Sequence, residues 1–179
     1  MNITGKGMKF RWLNNAGFEM ELSSGKHLLD PWLDEAQVYP ISINEIERAD
    51  YVLLTHTHDD HSDSIGRIQK RFPQAAIFVG DLSAEALCKE YDLNVERLFR
   101  IRGREEYEFD DVKIEVISAR HTESKGGNYW DRGYCIQKDG SRRETMWYGS
   151  LEMYNFRITD VNGYRAVVWG GMTTEEQIH

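Results

Sequence analysis

The chain has 179 residues, which is room for one domain with a buried core rather than two. Hydrophobic residues make up 40% and charged residues 29%, so a disordered chain is excluded. The net charge of −8 and pI near 5.3 exclude a protein that holds nucleic acid through a basic face, and no apolar run approaches the ~20 residues that span a bilayer.

The chain reads as short strands broken by turns, with helices only in its middle. Residues 17–22 alternate apolar and polar, Ser23-Ser24-Gly25-Lys26 is a turn, and residues 27–30 return as a strand that Pro31 ends. Residues 51–55 (YVLLT) form a short buried strand. Ile65, Ile68 and Phe72 then recur at helical spacing until Pro73. Residues 75–79 are a second buried strand, and Asp81 or Ser83 caps a helix with Ala84, Leu87 and Tyr91 on one face. Strands follow at 98–101, 107–109, 112–117, 133–137, 153–159 and 164–169, with Asp110-Asp111 and Val161-Asn162-Gly163 as turns. This order predicts a sheet-rich α/β (α+β) layered fold in one domain over residues 1–179.

Cys88 and Cys135 stand far apart without a CxxC spacing, so neither a disulfide scaffold nor a zinc knuckle is indicated, and a cytoplasmic location is expected. At the end of the chain, Thr173 with Glu176, or Thr174 with Gln177, makes a capping box for a helix that has about one turn before His179. A helix of one turn does not repay its nucleation, so the expectation is a chain that lacks its C-terminal part.

The chemistry concentrates in Thr55-His56-Thr57-His58-Asp59-Asp60-His61, on the loop leaving a buried strand. In an extended segment His56 and His58 point to the same side, where two imidazoles can reach one ion. The chain then turns into a helix, so Asp60 and His61 project from its first turn. His121, after the strand at 112–117, can close a three-histidine site. Imidazole and carboxylate donors without thiolate suit zinc, and also manganese, iron or nickel. His27, in a strand, and the terminal His179 read as structural. Asp59 and Asp63 read as solvated acids in the first helical turn, and Asp30 as either a residue that orients a ligand histidine or a strand-end cap.

The spacing H-x-H-x-D-H after a buried strand resembles the signature of the metallo-β-lactamase superfamily, in its branch of ascorbate-phosphate lactonase-like and other metal-dependent hydrolases. Leu28-Leu29-Asp30-Pro31-Trp32-Leu33 and Ser118-Ala119-Arg120-His121-Thr122 also match, so the resemblance covers about residues 10–170. It implies a four-layer αββα sandwich with the site at one edge of two packed sheets. It also implies a first metal on His56, His58 and His121, with Asp60 and His61 contributing to a second. The family's aspartate between the two metals matches Gly171, and its last histidine would fall beyond His179. One tightly bound ion is therefore expected, with the second site incomplete.

The reaction implied is hydrolysis of a small ester, lactone or phosphodiester by metal-activated water, with Asp60 orienting that water and taking its proton. The alternative is a metal-binding but catalytically weak structural or interaction domain. An oxygen-reducing diiron domain is disfavoured, since that chemistry goes with an acid where this chain has His58. The partner expected is a small-molecule substrate, with no nucleic acid and no membrane, alongside a homo-oligomer or a missing C-terminal partner segment. Lys125, Tyr129, Trp130 and Arg132 could contact the substrate or simply form a solvated loop.

Overall fold

In a computed structural model, residues 2–4, 7–34, 41–121, 134–136, 142–144 and 152–173 are described. The first sheet takes its strands in chain order: β1 (Asn2–Thr4), β2 (Lys9–Asn14), β3 (Gly17–Glu21), β4 (His27–Asp30), β5 (Tyr51–Leu53), β6 (Ala76–Gly80) and β7 (Leu98–Ile101). The first four are antiparallel, and β4 to β7 are parallel. Parallel neighbours need crossover connections. Helices α1 (Asp59–Ser62) and α2 (Ile65–Arg71) join β5 to β6, and α3 (Ala84–Tyr91) joins β6 to β7.

The pleat divides this sheet's residues between two cores. Val52, Leu54, Ile77 and Val79 pack against Ile65, Ile68, Ala84 and Leu87 of the helices. Tyr51, Leu53, Ala76 and Phe78 point the opposite way, where they meet Val112, Ile114, Val116, Phe156 and Ile158. Those partners belong to the second sheet, of order β13 (Arg165–Val168), β12 (Met153–Asp160), β9 (Val112–Arg120) and β14 (Met172–Thr173), with β8 (Glu106–Glu108) also on β9. The contacts of Phe78 with Phe99 (stacked, 4.8 Å) and Tyr107 (edge-on, 5.2 Å) fill the space between the sheets. A separate two-stranded piece joins β10 (Tyr134–Ile136) to β11 (Arg142–Glu144).

The predicted strands and helices are present with small shifts at their ends. Arg142 and Arg143, in no element expected from the sequence, lie in β11. Thr173, read as a helix cap, pairs with Ala119 in β14, and residues 174–179 lie outside the described residues. Helix, sheet and sheet form three layers among the described residues. The outer face of the second sheet carries the Arg157–Glu115 ion pair, and no described helix covers it. No described helix is long and apolar enough to cross a membrane.

The end of the sandwich away from the histidine loop is tied by polar contacts. The Asp111 carboxylate accepts from Tyr51 Oη (2.8 Å), Lys26 Nζ (3.0 Å) and Ser24 Oγ (3.0 Å). Ser23 donates to Asp160 beside it. Both aspartates are buried. Burial alone would raise the Asp111 pKa, but the bonds from Tyr51, Lys26 and Ser24 hold it below the ordinary carboxylate value. A depressed folded-state pKa stabilises the fold above the unfolded pKa near 4, and that stability is lost as pH falls through the folded value. Asp111→Asn should therefore lose about 1–3 kcal/mol at pH 7 by urea unfolding. The gap to the unsubstituted chain should narrow below about pH 4. A gap unchanged between pH 7 and pH 3 would refute the ionic role of Asp111.

Candidate metal centre

Strand β5 ends at Leu53, and the chain runs on extended across the mouth of the two sheets. The Leu54 N–H still reaches Phe78 O (3.0 Å), while Thr55 O accepts from Tyr154 N of the second sheet (2.8 Å). Both sheets thus hold the loop. His58 is the extended residue before α1, whose first turn closes through bonds from His61 N (2.9 Å) and Ser62 N (3.0 Å) to His58 O. The helix starts at Asp59, so Asp60 is inside its first turn and does not cap it.

This path places His56 and His58 with His121, which directly follows β9, so that one ligand atom from each lies within 4.8 Å of the others. A second group of the same compactness joins His56, Asp60 and His61. The His56 ring is 4.6 Å from that of His58, 5.2 Å from His121 and 4.2 Å from His61. All five residues expected from the sequence are therefore gathered in one place, with His56 central. His27 stands apart and meets Glu19 across the β3–β4 pair (2.8 Å).

Asp30, at the end of β4 and 2% exposed, sits against His61 Nδ1 with both oxygens at 3.1 Å. Thr55 Oγ1 lies 3.1 Å from His56 Nδ1, 3.3 Å from His61 Nδ1 and 3.4 Å from Asp30. Both Nδ1 atoms thus face the protein. His61 Nε2 is turned toward Asp60 Oδ2, at 3.9 Å. Of the two readings of Asp30, the geometry favours the one that orients a histidine.

Burial drives the His56 pKa well below its ordinary value, and the neighbouring His61, His58 and His121 push it further down. His56 is therefore a neutral imidazole at neutral pH, the form that binds a metal. Burial would lower His61 too, but the Asp30 charge and hydrogen bond raise it; burial in turn raises Asp30 against the pull of His61. They form one buried coupled pair. The donor set, the compact geometry and the carboxylate behind His61 fit a transition-metal ion.

The Gly170-Gly171 segment passes the same loop. Asn155 Oδ1 accepts from both backbone N–H groups (2.8 and 3.0 Å), and Asn155 Nδ2 donates to Gly171 O (3.2 Å). A Cβ on Gly170 would stand 2.5 Å from Thr55 Cβ and from Tyr154 O. One on Gly171 would overlap Met153 Sδ and come 2.6 Å from Arg120 O. Neither position accepts an aspartate without backbone movement, so this segment offers no carboxylate to the site.

Sequence reading missed the supports. Asn15, in the β2–β3 turn with φ of 39°, donates Nδ2 to Asp60 Oδ2 at 2.6 Å. The Asn-Asn-Ala-Gly run was the signal for that turn, since asparagine tolerates the left-handed region. Thr57 Oγ1 donates to Ser83 Oγ (3.2 Å), bracing the loop against α3. Asp63, read as solvated, accepts from Tyr91 Oη (2.9 Å), and Asp59 has one buried oxygen without a hydrogen-bond partner. Lys125, Tyr129, Trp130 and Arg132 lie outside the described residues.

A helix layer on two packed sheets, with a histidine and aspartate cluster on a strand-to-helix loop, defines the metallo-β-lactamase-like fold class. Residues 9–151 match the family described as the beta-lactamase superfamily domain, and the chain belongs to that family. A "UPF0173 metal-dependent hydrolase" of Cereibacter sphaeroides is 35% identical over 141 residues, covering 74% of this chain and 60% of that protein. One from Aeropyrum pernix is 34% identical over 95 residues, covering 51% of this chain and 39% of that protein. The chain thus spans less than two thirds of these relatives' own lengths. A solved structure of "a possible metal-dependent hydrolase" from Veillonella parvula shares the fold, with a TM-score of 0.63 at 14% identity over 96% of this chain and 64% of that one.

Asp30→Asn should leave His61 without its carboxylate partner and weaken binding of the second ion, at Asp60 and His61, about 10–100-fold, read by titration of the chain with zinc beyond one equivalent. Unchanged affinity in a folded Asp30→Asn protein would show that Asp30 does not support the site.

Proposed function

We propose that this chain is the core of a metal-dependent hydrolase acting on a small ester, lactone or phosphodiester, with zinc as the resident ion. The observation that carries the reading is the convergence of His56, His58 and His121, ligand atoms within 4.8 Å of one another, around a buried neutral imidazole. These three residues would hold the ion, with manganese, iron and nickel as the other ions the donors suit. An ion held there supplies a water of lowered pKa and polarises the oxygen under attack.

The chain's own residues supply positioning and proton transfer. Asn15 fixes one oxygen of Asp60, which leaves the other to orient the water and accept its proton. Asp30 keeps His61 Nδ1 engaged, so Nε2 faces the site beside Asp60. With Asp60 and His61 as its own ligands and no carboxylate from Gly171, the second position holds an ion weakly.

We place this activity in a single domain over residues 1–179, in the cytoplasm, acting on a small molecule rather than nucleic acid or membrane. Free Cys88 and the net charge of −8 support that placement. The same Gly170-Gly171 geometry favours one second reading, a metal-binding domain of weak catalysis that works with a further segment or a second copy.

The purified chain should retain about one metal equivalent after dialysis against a mild chelator. The His56→Ala/His121→Ala double variant should retain almost none, and hydrolysis of 4-nitrophenyl acetate, a γ-lactone or bis(4-nitrophenyl) phosphate should vanish with the metal. Retention of the metal with no turnover of any substrate would favour the second reading. Unchanged occupancy in the double variant would overturn both.

A further inference from the structure

An apolar cleft between the two sheets adjoins the metal centre through Asp30. It measures about 190 Å³ and is lined by Phe10, Phe18 and Met20 of the first sheet and Val167, Val168 and Trp169 of the second, with Ala16 and Asp30. One wall comes from β2 and β3 and the other from β13 and Trp169 after it. At the end far from the metal centre, Tyr164 closes on Gly7, so tightly that a Cβ there would be 2.5 Å from the Tyr164 ring.

At the other end the walls continue into the site. Ala16 follows Asn15, which bonds Asp60. Trp169 precedes Gly170, which abuts Thr55. Asp30 lines the cleft and also bonds His61. Trp169 is 61% exposed although it lies beside this opening. A large exposed aromatic at the mouth of an apolar cleft that adjoins a polar centre is the usual build of a small-molecule site.

We propose that this cleft is the specificity pocket of the metal centre and takes the aryl group of the substrate, one ring or two fused rings. The proposal rests on the hydrolase reading for the identity of the molecule bound, though not for the binding itself. The size fits, since an apolar cavity of about 150 Å³ holds one benzene. The chemistry fits as well: Phe10, Phe18 and Trp169 offer ring faces and edges, and Asp30 leaves no place for an anionic tail.

The test is titration of the ¹⁵N-labelled chain with 2-naphthol, a neutral probe that needs no turnover. Saturable amide shifts should centre on Phe10, Ala16, Phe18 and residues 167–169. Trp169→Ala should weaken binding about tenfold through loss of an aromatic wall. Ala16→Trp, at an exposed position, should fill the mouth and abolish the shifts, with thermal unfolding confirming that each variant is folded. Shifts that do not saturate, that centre elsewhere, or that persist in folded Ala16→Trp would overturn the pocket. The metal-loaded chain is then assayed with 2-naphthyl acetate against methyl acetate, where the pocket predicts preference for the aryl ester, reduced in Trp169→Ala. If 2-naphthol binds as stated and neither ester is cleaved, the hydrolase reading falls and the pocket stands. Equal cleavage of both esters would overturn the pocket's role in specificity.

Discussion

The contact among Asp30, His61 and Thr55 is the constraint on which the site depends. It joins the end of β4, the loop after β5 and the first turn of α1, three segments that have no other reason to fix their side chains relative to one another. Burying an ionisable carboxylate and imidazole together costs several kcal/mol of desolvation unless they satisfy each other. Each offsets part of that penalty for the other, and the result is a histidine whose Nδ1 is held on the protein side. His56 is then held in its neutral form by burial beside that ring. The rest of the sandwich serves to keep this contact dry and in place: Phe78 and its neighbours fill the space between the sheets, and the helices cover the loop's other side.

Much of this was legible in the sequence because it is local. The apolar run ending near Thr55, the alternation of His56 and His58, and the helical spacing of Ile65 and Ile68 each report a backbone state within a few residues. The position of His121 was legible for a similar reason, because it follows the long alternating strand β9. The supports were not legible, because they pair residues far apart in the chain. Asn15 with Asp60, Thr57 with Ser83, and Asn155 with Gly170 and Gly171 depend on how the sheets and helices meet. No periodicity within one segment carries that information.

Gly170 and Gly171 show how packing limits chemistry. Asn155 gathers their backbone groups, and Thr55, Met153 and Arg120 occupy the space a side chain would need. The close approach that lets the second sheet support the metal loop is the same one that denies the site a bridging carboxylate. The two groups of ligands that share His56 are therefore unequal, and the proposed function rests on the three-histidine one. The apolar cleft opens beside the Asp30–His61 pair, between the β2–β3 turn and Trp169.

The most direct test of this account is anomalous diffraction at the zinc edge from crystals grown with zinc and washed free of excess metal. The account predicts one strong peak per chain, with one nitrogen of each of His56, His58 and His121 at about 2.0–2.1 Å. A principal peak between Asp60 and His61, or two peaks of equal strength, would contradict it.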